Sequence, residues 1–107
     1  MTHGTSPAIQ ALFPVLAQAT GSCIREARVS LGLRQSKFAA QIGVSGPQMS
    51  RLETGRVCPT LPAFFLIAYG AAVPPGQLLA RVNENPAVRA AMVRILTEVR
   101  ILQSPGD

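Results

Sequence analysis

Residues 35–54 read QSKFAAQIGVSGPQMSRLET. The stretch divides at Gly43. Before it, Phe38, Ala39 and Ile42 fall on one helical face; after it, Met49 and Leu52 do the same. Two short helices that cross closely need a small residue at the crossing, and Ala39 supplies it. The tight turn between them needs a residue that accepts positive φ, which Gly43 does without steric cost. Val44 follows as a core plug. Ser45 is a good N-cap for the second helix, and Pro47 is tolerated in its first turn. The outer face of that second helix carries Gln48, Ser50 and Arg51.

This is the helix-turn-helix arrangement, in which the second helix enters the major groove and its polar face meets base edges. Working outward, Ser22 is an N-cap candidate with Glu26 in the first turn behind it. Ile24, Ala27 and Leu31 share a face, and Gly32 fits the stop, so the first firm helix is expected over 23–31. Downstream, residues 57–60 form a loop. Pro62 sits early in a fourth helix to about residue 72, with Leu61, Phe64, Ile67, Ala68 and Val73 inward. Pro74-Pro75-Gly76 interrupts the chain before a short fifth helix over 77–82. Asn85 and Pro86 then open a sixth helix that runs to about residue 103. No period-2 alternation bounded by turns appears, so the fold class is all-α.

With these pieces in place, the chain resembles the Cro and lambda-repressor type of helix-turn-helix regulators, the XRE family. The resemblance is carried by IREARVSLGLRQ, FAAQIGVS, SRLETG, CPTLPAFFLIAYGAAV and QLL, in order and without insertion, from Ile24 to about Leu79. It implies a compact five-helix DNA-binding bundle, to which residues 83–107 add a C-terminal helix. It also implies a phosphate contact at Gln35 and a structural ion pair between Arg28 and Glu53. Three positions depart from the family pattern. Arg34 stands where Ser or Thr usually caps the second helix, and Gly46-Pro47 stands where polar side chains usually begin the recognition helix.

For DNA, Arg51 and Gln48 are the candidates for base edges, since Arg to guanine and Gln to adenine are the usual bidentate pairs. Arg34 and Arg56 flank the two helices and suit phosphate, which positions without specifying. Ser45 and Ser50 complete the candidate set as a cap and a minor contact. The net charge of +5, from ten Lys and Arg against five Asp and Glu, favours a polyanionic partner. His3 is the sole histidine and Cys23 and Cys58 lie far apart, so no metal site, cofactor or disulfide framework is expected. The same scarcity of paired nucleophiles and bases argues against an enzyme. Residues 8–19 are apolar, but no Lys or Arg precedes them and Pro14 interrupts them, so neither a secretory signal nor a membrane span is expected and the reading is cytoplasmic.

The expected organisation is an N-terminal arm over 1–21, partly helical, then the DNA-binding domain over 22–82 and the C-terminal helix over 83–107. That last helix carries Val88, Met92, Ile95, Val99 and Leu102 at spacings of 4, 3, 4 and 3. The five-helix bundle is expected to close without this seam, which makes it a homodimer interface. Phe65, Leu66 and Tyr69 form a second apolar patch, suited to a protein partner. The leading functional reading is a dimeric regulator, a repressor, on double-stranded DNA. The alternatives are an antitoxin of a toxin–antitoxin pair and a protein-interaction module that has lost DNA binding.

Overall fold

The computed structural model describes residues 6–103; Leu102 of the expected seam belongs to a helix whose last side chains, from residue 101 on, lie outside the described ones. Six helices follow one another: α1 (Pro7–Ser30), α2 (Gln35–Gln41), α3 (Gly46–Glu53), α4 (Leu61–Gly70), α5 (Pro75–Asn83) and α6 (Pro86–Gln103). No strand occurs among the described residues.

The caps are chemical and mostly local. Ser6, Ser45 and Thr60 each accept a backbone N–H three residues on, and Pro follows at the first or second helical position. Asn85 Oδ1 does the same for α6, accepting from the N–H groups of Ala87 and Val88. Helices α1 to α4 also stop in one way. At the end of α2, Gly43 adopts φ +74°, its N–H donates to the Ala40 carbonyl, and the Val44 N–H reaches back to Ala39 at 2.9 Å. This paired closure satisfies the last carbonyls of the helix. The end of α4 is built identically, but the left-handed residue is Ala72, at φ +59°. The Val73 N–H still bonds Ala68 at 2.9 Å.

The first helix corrects the sequence reading. Ser22 does not cap it; the helix begins fifteen residues earlier, behind Ser6, and runs unbroken through Pro14. The boundary expected at residue 21 therefore falls inside α1, and residues 7–21 are helical throughout. A proline inside a helix costs about 3 kcal/mol. What offsets it is α6, which lies along the N-terminal half of α1. Ala19 of α1, Val82 of α5 and Val88 of α6 are buried together, with Val15, Leu16 and Cys23 packed against them.

The main core lies farther along α1, and Cys23 packs against both clusters. Ile24, Ala27, Phe38, Ala39, Met49 and Leu52 are buried there with Phe64, Ile67 and Leu78, while Ile42 and Val44 close its edge. Leu61, expected in this core, is 68% exposed, because it occupies the first position of α4, before the helix reaches the bundle. Leu31, expected beside Ile24 and Ala27, is likewise exposed as the residue that ends α1. Close approach of α1 to α3 depends on Gly21. A Cβ there would stand 2.3 Å from the Leu52 carbonyl oxygen and 2.8 Å from that of Glu53.

A non-glycine residue in the left-handed region is strained by about 1–2 kcal/mol, part of which glycine returns through its larger unfolded-state entropy. Ala72→Gly is therefore expected to stabilise the fold by roughly 0.5–1 kcal/mol, read as a rise in Tm. No such gain is expected at Ala71, which is buried and right-handed.

Candidate nucleic-acid interface

The third helix is held by a buried network. Arg28, from α1, meets Glu53, the last residue of α3, in a two-pronged contact: Nε to Oε2 at 2.7 Å and Nη2 to Oε1 at 2.9 Å. The third prong of the guanidinium, Nη1, donates to the Leu33 carbonyl at 2.7 Å in the α1–α2 connection. Gln35 Nε2 donates to Glu53 Oε1 at 2.9 Å. Both charged residues are buried, at 9% and 7% exposure. The hydrogen bond to Glu53 pushes the Arg28 pKa upward, ahead of the opposing effect of burial. No buried side-chain polar atom among the described residues lacks a hydrogen-bond partner.

That network gives Gln35 two obligations. It is half-buried, and one side of its amide is committed to Glu53 rather than to solvent. An NH2 group has two hydrogens, so one remains for an outside acceptor. Arg34, just before it, caps α2 in position only, since no side-chain hydrogen bond closes that helix start.

On the outer side of α3, Arg51 Nη2 donates to Gln48 Oε1 at 2.7 Å. The carbonyl of Gln48 thus orients the guanidinium, leaving the Gln48 amide donors and the other Arg51 donors outward. Ser45 Oγ is occupied as the cap, accepting the Gln48 N–H at 3.1 Å. Ser50 is half-buried, and its backbone carbonyl accepts the Thr54 hydroxyl at 2.8 Å. Arg56 is exposed beyond the end of α3, and its backbone N–H closes that end on the Arg51 carbonyl. Lys37, exposed on α2, was not singled out in the sequence, though it is the single lysine and falls between the inward positions of that helix. Among the described residues, none of Arg34, Lys37, Arg51 and Arg56 pairs with a carboxylate.

The other expected residues are distributed elsewhere. Phe65, Leu66 and Tyr69 are all exposed on α4. In α6, Val88 is buried within the chain at 3% exposure, and Ile95 and Val99, on the same stripe, are half-buried where α6 lies along α1. The start of the seam expected to meet a second subunit, at Val88, packs against the chain's own first helix, and Met92, at 37%, is its most open described member. Cys23 is half-buried and Cys58 exposed, both as free thiols, and burial pushes the Cys23 thiol pKa up. No group of three or more potential metal ligands occurs among the described residues. No single helix among them is long and apolar enough to cross a membrane.

A helix-turn-helix family model matches residues 24–69, the span from the core of α1 to near the end of α4. No curated protein and no solved structure matches the chain.

Removing one partner of a buried ion pair leaves the other charge without compensation, at about 3–5 kcal/mol. Glu53→Ala is expected to lose stability on that scale, measured by urea unfolding, because it strips both Arg28 and Gln35 of their acceptor. Glu26→Ala, on the exposed side of α1, is expected to stay near wild type.

Proposed function

We propose, from the premise that this chain is a DNA-binding regulator with a helix-turn-helix domain of the Cro and lambda-repressor type, that it is a repressor binding a pseudo-palindromic operator as a dimer in the cytoplasm. The observation that carries the reading is the outward Gln48–Arg51 pair on α3, set among cations without carboxylate partners. Arg51 and Gln48 read base edges. Arg34, Lys37 and Arg56 take phosphates, with the second Gln35 N–H joining them. Ser45 and Ser50 act near the backbone of the duplex, Ser45 chiefly by holding the helix start. Repression needs no further chemistry, because a domain seated in the major groove excludes other proteins from the same DNA. Binding and positioning account for every polar group named, and no catalytic role is assigned to any.

The base-reading surface is short. Gly46 and Pro47 present no hydrogen-bonding side chain at the start of α3. Direct readout therefore concentrates on Gln48 and Arg51, and specificity falls on few base pairs in each half-site. Two half-sites then multiply what one cannot supply.

Two substitutions separate reading from folding. Arg51→Ala is expected to weaken operator binding by roughly 1–3 kcal/mol and to relax preference at one base pair, in a gel shift against the selected site and its point variants. Equal affinity of a folded Arg51→Ala protein for the operator would remove Arg51 from the reading surface. Arg34→Ser moves stability and binding in opposite directions. It supplies the missing cap of α2, a gain of about 0.5–2 kcal/mol, yet removes a phosphate contact. Tm should rise while affinity falls uniformly across sequences and the salt dependence loses about one ion's slope. A chain that shifts no DNA fragment at low salt would instead be a protein-interaction module.

A further inference from the structure

Two apolar grooves lie side by side on one surface of the chain and share Leu16, Gly76 and Leu79. One extends toward Leu61 and Phe65 of α4. The other runs between α1 and α6, toward Leu12 and Met92. No Asp, Glu, Lys or Arg lines either groove. Apolar side chains stand out along them: Leu61 is 68% exposed and Leu79 56%. The opposite side of the α1–α6 pair differs, since the groove there carries Gln18, Ser22 and Asn85.

We propose that the groove-bearing surface is the face on which a second copy of this chain docks about a two-fold axis. The proposal deepens the dimer reading above and rests on it only for the identity of the occupant. Four observations support a copy of the chain. First, the fold is elongated. Its radius of gyration is 16.4 Å, against about 13 Å for a compact domain of this length, and it extends 56 Å along its longest axis. Two helices extending from a bundle can bury the seam between them but not a second apolar face, which a second helix pair would cover as a four-helix layer. Second, the size is adequate. The eighteen residues of α6 span about 27 Å and two helices about 20 Å across, and with α5 and the start of α4 this approaches the ~800 Å² per partner of a standard interface.

Third, the charge is right. A chain of net charge +5 repels its copy least where the facing surfaces bring no like charges together, and this one carries none along its grooves. Fourth, grooves and protruding side chains occur on the same face. In an isologous contact each copy offers the other both, so a protruding Leu79 or Leu61 meets a groove. Gly76 is what leaves the groove floor open: a Cβ there would meet nothing within 4 Å.

The test is sedimentation of the full chain without DNA at micromolar concentration. Wild type should be a dimer. Gly76→Glu places a charge on the groove floor with no steric conflict. It also falls in the first turn of α5, where a carboxylate suits the helix dipole and none is present. It should therefore unfold cooperatively as a folded monomer, its self-association weakened at least about tenfold, and Leu79→Glu should behave alike. Val93→Glu, exposed on α6 but lining neither groove, should remain dimeric. A monomeric wild type, folded Gly76→Glu and Leu79→Glu proteins that stay dimeric, or a Val93→Glu protein that dissociates would each overturn the interface. A dimer that shifts no DNA would sink the DNA reading and leave this face standing; a monomer that shifts DNA would do the reverse.

Discussion

Arg28 reaches from the first helix to the last residue of the third, and the orientation of the outer face of α3 follows from that reach. Glu53 sits at the C-terminal end of α3, where the helix dipole disfavours a carboxylate. The guanidinium opposite it offsets that cost. Because the guanidinium is planar and its donors are fixed in a fork, two contacts to one carboxylate set an angle as well as a distance. The remaining donor fixes the Leu33 carbonyl, and Gln35 attaches the start of α2 to the same carboxylate. One buried anion therefore positions three helices. An eight-residue helix is only about 12 Å long and too short to be stable alone. The direction of α3 is set from outside it, by this network and by the approach to α1 that Gly21 permits.

The turn chemistry was legible because its causes are local. Ser45, Gly43, Asn85 and Pro86 act on backbone groups within a few residues, and their spacing predicts helix ends that the structure places within a residue or two. Met49, Leu52, Phe38 and Ala39 were legible for a similar reason, since two fixed periodicities meet at one known turn. The start of α1 was not. Pro14 is a local argument for a break, and only the packing of α6 against Val15, Leu16 and Ala19, more than sixty residues away in the chain, outweighs it. The left-handed Ala72 was equally hidden, because nothing in the side chain announces the conformation that the bundle imposes on it.

The α6 stripe shows a different limit. Val88, Ile95 and Val99 recur at a spacing that requires an apolar partner, and periodicity states the requirement without identifying which surface meets it. The intramolecular partner is concealed because Pro14 gives residues 1–21 the local pattern of a partly helical arm. Once residues 7–21 belong to a 24-residue helix, α6 has a surface to lie on within its own chain. The apolar residues left uncovered are then a different set, on the flank where α1, α5 and α6 meet. Leu61 belongs with them, exposed by its place at the first position of α4 rather than by its chemistry.

The continuity of α1 links the two ends of the molecule. Its C-terminal half carries Gly21 and Arg28, which hold α3; its N-terminal half carries Leu12 and Leu16, which border the grooves. From Leu12 to Arg28 is sixteen residues, about 24 Å along an uninterrupted helix. A second copy seated against the first half would thus have its α3 placed by a stiff rod rather than by a linker, and the distance between the two recognition helices would follow from the helix itself. Half-sites on DNA recur at about 34 Å, one duplex turn, and a flexible connection would accept many such spacings. A continuous α1 accepts few. This gives the cost of Pro14 a physical counterpart: a break at residue 14 would uncouple the groove-bearing surface from the reading helix, and the packing of α6 along this segment is what keeps the helix whole.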